Sequence, residues 1–183
     1  MYSVTFVFLS VLLLLATFPS ALPAATSPPF QITRLQLQEV QNGNTTFSFT
    51  VHDPDPLTNA TQRCTGKWTT GTSGYPQGSY VVLHGSGIAC MTADWIQESC
   101  GNSSFGWNMY TYTNCQNFIL GLEHAFTDPA VGEPPYDQIL EFGKGNVTML
   151  DLACTARTGR VRCEQVWGGR IEAPVYAVVA KRR

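Results

Sequence analysis

The first candidate nucleophile, judged by its neighbours in the sequence, is a serine between two glycines. Ser86 lies in the run His84-Gly85-Ser86-Gly87, which partly resembles the nucleophile elbow of hydrolases. An elbow needs glycine two positions before and two positions after the serine, on a turn from a strand into a helix. Position 84 is histidine and no helical pattern follows. We therefore interpret the segment as a glycine-rich hairpin turn.

Acidic and histidine side chains offer a second route to chemistry. Asp53 and Asp55 are separated by one proline, so they fit neither the two carboxylates that face each other in a glycosidase cleft nor the ligand spacing of an EF-hand. They fit a turn that ends a strand. His124 falls in phase with apolar neighbours, which predicts a hydrogen-bonded core histidine. No Ser-His-Asp arrangement emerges, and the chain is expected to be non-enzymatic. A hydrolase would require Asp53, Glu123 and His124 to meet in the fold.

Aromatic side chains are the better candidates for binding. Exposed rings stack on sugar faces or line pockets for apolar ligands. Trp68 and Trp107 are in phase with core positions, so we assign them to the core. The binding candidates lie in loops or on the opposite strand face, and they are Tyr75, Trp95, Tyr110 and Tyr112.

Six cysteines point to disulfides rather than to a metal site. They are Cys64, Cys90, Cys100, Cys115, Cys154 and Cys163. There is no Cys-x-x-Cys and the histidines are scattered, so neither metal nor cofactor is expected. Cys154 and Cys163 flank the turn Arg157–Arg160 on two predicted strands, where facing cysteines reach bridging distance. The pairings Cys64–Cys100 and Cys90–Cys115 are our choice for the rest, although the sequence leaves the alternatives open.

Four Asn-x-Ser/Thr sequons agree with secretion. They lie at positions that we interpret as turns, where a glycan needs an exposed acceptor, and they are Asn44, Asn59, Asn102 and Asn146.

The elements that must position these residues are short strands. Residues 47, 49 and 51 are apolar and alternate with polar ones, and residues 118 to 126 keep the same period. A bulge near Arg34 would bring Leu35 and Leu37 into phase with Phe30 and Ile32. The segment Tyr136–Phe142 fits a strand or one helical turn, and Ile96–Ser104 fits a polar loop. The predicted strands are Phe30–Val40, Thr46–His52, Cys64–Thr70, Ser79–His84, Ile88–Ala93, Phe105–Thr113, Phe118–Phe126, Asn146–Cys154, Arg160–Val166 and Arg170–Ala180, the last interrupted by Pro174.

Composition sets the boundaries of the fold and the compartment. The chain has 183 residues, and residues 1–25 carry no charge and contain an apolar run shorter than a membrane span. We expect a signal peptide over 1–25 with cleavage within 21–27, one β domain over 30–180 and a basic tail over 181–183. A net charge of −2 gives the chain no basic surface for binding nucleic acid. The sequence after residue 25 has no apolar run long enough to span a membrane, so we expect no membrane insertion after processing. The pattern predicts an all-β, single-domain antiparallel β-barrel or β-sandwich stapled by disulfides.

The order of these features resembles a known family. The run Phe47-Ser-Phe-Thr-Val-His-Asp-Pro54, then Cys64, Trp68, Phe105-x-Trp107 and Cys154…Cys163, is similar to the Alternaria major-allergen family of small secreted fungal proteins. That resemblance implies a compact antiparallel β-barrel with Cys64–Cys100 and Cys154–Cys163 disulfides. It also implies a class that includes effectors and elicitors of plant defence. The chain departs from the family by its six cysteines and by having none before Cys64.

Together these observations predict a secreted, extracellular, non-enzymatic glycoprotein. Its expected role is that of a fungal effector or elicitor in virulence, with a host extracellular protein or a cell-wall component as partner. The alternative is an extracellular binding module for a glycan or a small apolar ligand. A secreted hydrolase and a structural surface protein are the remaining hypotheses.

Overall fold

The computed structural model describes residues 27–77, 98–101 and 104–180. The expected signal peptide, the tail 181–183, Ser86, Cys90, Trp95, Asn102 and the predicted strands Ser79–His84 and Ile88–Ala93 lie outside these residues. The described part is all-β, as predicted. Its strands are β1 Phe30–Val40, β2 Asn44–Asp53, β3 Ala60–Thr69, β4 Glu98–Ser99, β5 Phe105–Asn114, β6 Asn117–Thr127, β7 Gln138–Val147, β8 Leu152–Arg157, β9 Arg160–Gln165, β10 Ile171–Ala173 and β11 Val175–Ala180.

These strands form two antiparallel sheets that are not closed into one barrel. Sheet A has the order β3-β2-β1-β9-β8, with β10 also paired to β1, and sheet B has the order β11-β7-β6-β5-β4. Aromatic rings from both sheets meet in the core, where Phe47 of sheet A lies 5.2 Å from Trp107 and 5.8 Å from Phe118 of sheet B, between ring centroids. The arrangement is a β-sandwich, one of the two expected forms.

The predicted bulge in β1 is confirmed. The register between β1 and β2 shifts between Thr33 and Gln36, and Arg34 has a φ of 54°. This extra residue turns Leu35 and Leu37 to the same face as Phe30 and Ile32, and all four are buried.

The boundaries around β7 differ from the prediction. Asn146 belongs to β7 and not to the following hairpin, whose first strand begins at Leu152. The apolar alternation is lost in β7 because Gly143 and Gly145 occupy inward positions. A Cβ on Gly143 would lie 2.6 Å from Phe30, and one on Gly145 would lie 2.8 Å from Ile32, so these core residues fill the space that side chains at the two glycines would need. The predicted polar loop Ile96–Ser104 also contains the two-residue strand β4.

Pro174 divides the last predicted strand between the two sheets. β10 pairs with β1 in sheet A, and β11 pairs with β7 in sheet B. Because proline cannot donate a backbone hydrogen bond, the chain leaves one ladder there and joins the other.

Two of the three expected disulfides are present. Cys64 is bonded to Cys100 and Cys154 is bonded to Cys163. Cys115 is buried and forms no disulfide with a described cysteine, and burial raises the pKa of its thiol, as does the charge of Glu39. The pairing of Cys115 with Cys90 stays a prediction.

Candidate functional site

The described binding candidates do not form one site. Tyr75 and Tyr112 lie together, partly buried, with ring centroids 5.4 Å apart, and both pack against Trp68. The Tyr112 hydroxyl donates to Glu39, and burial together with this bond raises the pKa of Tyr112. These contacts give both rings a packing role at the edge of the core.

Tyr110 lies apart from them, on the outer face of sheet B. Its hydroxyl is 2.6 Å from the hydroxyl of Tyr176, and the Lys144 ammonium lies 3.8 Å from its ring centroid. Burial and the contact with Tyr110 raise the pKa of Tyr176. The Lys144 ammonium is attracted to the face of the Tyr110 ring, and this is the kind of face on which a sugar would stack.

A more exposed apolar surface lies on two neighbouring loops, and we call it the loop patch. It consists of Met149, Leu150, Val166 and Trp167. Trp167 is fully exposed and Leu150 is 84% exposed. The two loops lie side by side, because the Val166 N–H donates to the Asp151 carbonyl at 2.9 Å and Leu152 pairs with Gln165. Trp167 was not among the predicted binding residues; the glycines that follow it were the available signal of a turn.

A shallow depression of about 810 Å³ adjoins Trp167. Two exposed arginines, Arg34 and Arg170, lie in its lining with Gln165 and Thr33. Arg170 is 3.2 Å from Glu172. Glu172 also lies in the lining, so the depression combines an aromatic ring with two arginines and one carboxylate.

The second candidate site is a polar relay between the sheets, formed by Asp53, Ser104 and His124. Asp53 ends β2, His124 lies on β6 and Ser104 directly precedes β5. His124 Nδ1 is 2.7 Å from Asp53 Oδ2, and His124 Nε2 is 2.9 Å from Ser104 Oγ. Asp53 and His124 are buried, whereas Ser104 is exposed. His124 was predicted as a hydrogen-bonded core histidine, and this is confirmed.

The turn after β2 fixes the Asp53 carboxylate. The Asp55 N–H donates to Asp53 Oδ1 at 2.9 Å, and the Thr58 hydroxyl donates to Oδ2 at 2.7 Å. Burial by itself would raise the pKa of Asp53, but the hydrogen bonds from His124, Asp55 and Thr58 outweigh burial and lower it. The Asp53 carboxylate is therefore held in its ionised form.

A second acid faces the relay from β7. Glu141 is the cross-strand neighbour of His124, is buried and accepts a hydrogen bond from Ser27 at 2.6 Å. Burial raises the pKa of Glu141, and the negative charges of Asp53 and Asp55 add to this shift. Glu123, by contrast, is the neighbour of His124 on β6 and points to the opposite face of the strand. The structure thus brings together two of the three residues that a hydrolase was expected to need.

No metal cluster occurs in the described residues: nowhere in 27–77, 98–101 and 104–180 do three or more His, Cys, Asp or Glu side chains converge as metal ligands. In the same ranges, no helix has the length and apolarity to cross a membrane.

The described sequons are exposed, but two of the three lie in strands. Asn44 is the first residue of β2 and pairs with Thr69, so the turn expected there ends one residue earlier. Asn59 lies in the turn before β3. Asn146 lies within β7, with its side chain exposed, so the turn expected there is wrong. Its strand position follows from the extension of β7 through Gly143 and Gly145.

Fold and disulfides define a class: an antiparallel β-sandwich of the kind that folds in an oxidising compartment. No family model matches the chain, and no curated protein matches it. Among solved structures, the chain is similar to the crystal structure of the Alternaria alternata allergen Alt a 1, at 13% identity. The match covers 87% of this chain and 96% of that chain, with a TM-score of 0.43. It agrees with the resemblance seen in the sequence.

Proposed function

We propose that the chain is a secreted interaction protein of the effector or elicitor class that binds a host extracellular protein through the loop patch. The observation that supports this most is the full exposure of Trp167 beside three further exposed apolar side chains. Clustered exposed apolar residues mark interaction sites, and tryptophan, methionine and arginine are enriched in protein interfaces. This role requires no catalytic step.

The neighbouring charges indicate what the partner presents. Arg34 and Arg170 border Trp167 in the depression. Buried aromatic anchors and arginines supply most of the energy in many interfaces. We expect the partner to offer an apolar pocket for Trp167 with acidic groups at its rim.

The test is infiltration of the purified, oxidised protein into plant leaves, with necrosis and oxidative burst as readouts. The variant Leu150→Ser/Trp167→Ala removes the centre of the loop patch. Its matched control, Leu57→Ser/Val178→Ser, removes two exposed apolar side chains elsewhere. We expect a response from the wild type and the control, and none from the loop-patch variant. An equal response from both variants, or no response to the wild type, would contradict the proposal.

The depression favours a second candidate function, binding of an acidic cell-wall glycan. A sugar ring would stack on Trp167 while Arg34 and Arg170 contact its carboxylates. Titration with polygalacturonate should change tryptophan fluorescence, and a neutral glucan of similar length should not. Loss of the change in Trp167→Ala would support this function, and an unchanged spectrum at saturating polygalacturonate would exclude it. A flavonoid-like compound tests the small apolar ligand in the same assay.

A further inference from the structure

We propose that Ser104 is an activated nucleophile, with His124 as its general base and Asp53 as the positioning residue, so that the protein forms an acyl or phosphonyl ester on Ser104. The proposal goes beyond the interaction role, which uses a different surface. It rests on two consecutive hydrogen bonds. His124 Nδ1 lies 2.7 Å from Asp53 Oδ2, and His124 Nε2 lies 2.9 Å from Ser104 Oγ. These distances are those at which a serine, a base and its orienting acid work together.

The direction of the hydrogen bonds is the one that a general base needs. An ionised carboxylate only accepts, so the proton of a neutral His124 must be on Nδ1 and must be donated to Asp53. His124 Nε2 then carries a lone pair, and the Ser104 hydroxyl must donate to it. The imidazole is therefore already poised to take the serine proton.

Packing holds the imidazole and the serine in this geometry. The ring of Phe105 stacks on His124 with centroids 3.9 Å apart and an angle of 5° between planes. The Ser104 carbonyl accepts a hydrogen bond from the Ala125 N–H at 3.0 Å, which ties the serine backbone to β6 beside His124. The Cys100 N–H donates to the Phe105 carbonyl at 3.0 Å, and the Cys100 side chain is bonded to Cys64. A nucleophile held in place loses little freedom on reaction.

Its exposure distinguishes Ser104 from a buried serine whose only role is to form a hydrogen bond with a histidine. Ser104 is an exposed residue, whereas Asp53 and His124 are buried. Because Ser104 is exposed, the substrates we expect are small activated esters and phosphonates that reach it directly from solvent.

The chemical step balances with water as the second reactant. Ser104 Oγ forms a bond to the ester carbonyl carbon while its proton passes to His124 Nε2. The bond from that carbon to the leaving oxygen breaks, and the leaving alcohol takes the proton from His124. Water then attacks the acyl-serine, gives its proton to His124 and releases the acid, with the proton returned to Ser104 Oγ. No oxidant or metal is required.

The first experiment treats the folded, disulfide-bonded protein with an alkyl fluorophosphonate and locates the label by peptide sequencing. The serine oxygen displaces fluoride from phosphorus, so each labelled chain carries one phosphonyl group. We expect labelling at Ser104 at least about 100-fold faster than in the urea-unfolded chain, because positioned acid–base groups contribute rate factors of that order. Ser104→Ala should abolish it, and Ser73→Ala, at another exposed serine, should leave it unchanged.

The pH profile tests whether His124 acts as a base. Labelling should fall in acid, because a protonated imidazole cannot accept the serine proton. Asp53 of β2 is hydrogen-bonded to His124, and Glu141 of β7 is its cross-strand neighbour. Glu141→Gln therefore shows whether the pH dependence of labelling comes from Glu141, whose own charge is influenced by Asp53 and Asp55. In Asp53→Asn the side-chain amide donates to Nδ1, turns the lone pair away from Ser104 and should lower the rate at least about tenfold.

A second variant covers the case in which Asp53→Asn does not fold. Ser104→Cys places a thiol against His124 Nε2, where a neighbouring imidazole promotes thiolate reactivity. We expect iodoacetamide to alkylate this thiol at least about tenfold faster than the thiol introduced by Ser73→Cys. The proposal is overturned if wild-type labelling does not exceed that of the unfolded chain, if the label is on another serine, or if the introduced thiols of the two cysteine variants react equally.

Discussion

The relay and the loop patch break the usual rule of burial in opposite ways. In the relay, Asp53 and His124 are charged or polar and buried, and in the loop patch, Leu150 and Trp167 are apolar and exposed. The relay is satisfied within the chain, because His124, the Asp55 N–H and the Thr58 hydroxyl all reach the Asp53 carboxylate. Trp167, in contrast, is covered by nothing in the described chain. Contacts within the chain therefore hold the relay in place, whereas the loop patch points to a partner.

Each region also has its own disulfide. Cys64–Cys100 holds the segment that leads to Ser104, and Cys154–Cys163 ties the β8–β9 hairpin whose outer ends lead into the loop patch. The two regions can therefore be loosened separately.

Removal of the Asp53 carboxylate should have the largest effect on stability. Asp53→Ala leaves His124 and two further donors without their shared acceptor, and each buried donor that is left unsatisfied costs about 1–3 kcal/mol. Asp55→Ala, two residues on, removes only an exposed acceptor of the Leu57 N–H and should cost about 1 kcal/mol. Urea unfolding followed by tryptophan fluorescence measures both. Equal losses in the free energy of unfolding would mean that the bond between Asp53 and His124 adds no stability beyond that of the turn.

Removal of the disulfides should give the next largest effects, and unequal ones. The two bonds close loops of 36 and 9 residues, for which chain entropy predicts about 4 and about 2.5 kcal/mol. Each double variant should affect a different readout. Cys64→Ser/Cys100→Ser should lower labelling of Ser104, and Cys154→Ser/Cys163→Ser should lower partner binding. If both variants affected both readouts alike, the two regions would not be independent.

The two buried acids should shift stability with pH in opposite directions. Burial raises the pKa of Glu141 above its ordinary 4.5, so its contribution is complete below that value and is lost as the pH rises through the folded-state pKa. Asp53 has a lowered pKa, so its contribution is present above 3.8 and is lost as the pH falls through the folded-state pKa. Relative to the wild type, Glu141→Gln should gain stability as the pH rises, and Asp53→Asn should gain it as the pH falls. Urea midpoints measured across the acidic range test this, and parallel curves would contradict it.

Much of the sandwich could be predicted from local pattern, but the sites depend on contacts between distant residues. The phase change between Ile32 and Leu35 revealed the bulge, and the facing positions of Cys154 and Cys163 revealed their bond. The extent of β7 was missed because Gly143 and Gly145 give no apolar signal although they lie against the core. The relay joins residues 71 and 20 positions apart, and the sequence does not specify which strand ends meet. Trp167 was missed because a tryptophan beside a turn can lie in the core or in water.

The smallest effect on stability should come from substitution of Trp167, which tests directly whether the loop patch is uncovered. Trp167→Ala removes a side chain that packs on nothing described, so the free energy of unfolding should change by less than about 0.5 kcal/mol. Trp68→Ala, its matched control, removes a buried ring in contact with Phe47 and Tyr112 and should cost about 3–5 kcal/mol. Urea unfolding followed by far-ultraviolet circular dichroism measures both without depending on the lost fluorophore. If Trp167→Ala were as destabilising as Trp68→Ala, the ring would be covered by this chain itself, and the loop patch would no longer be free for a partner.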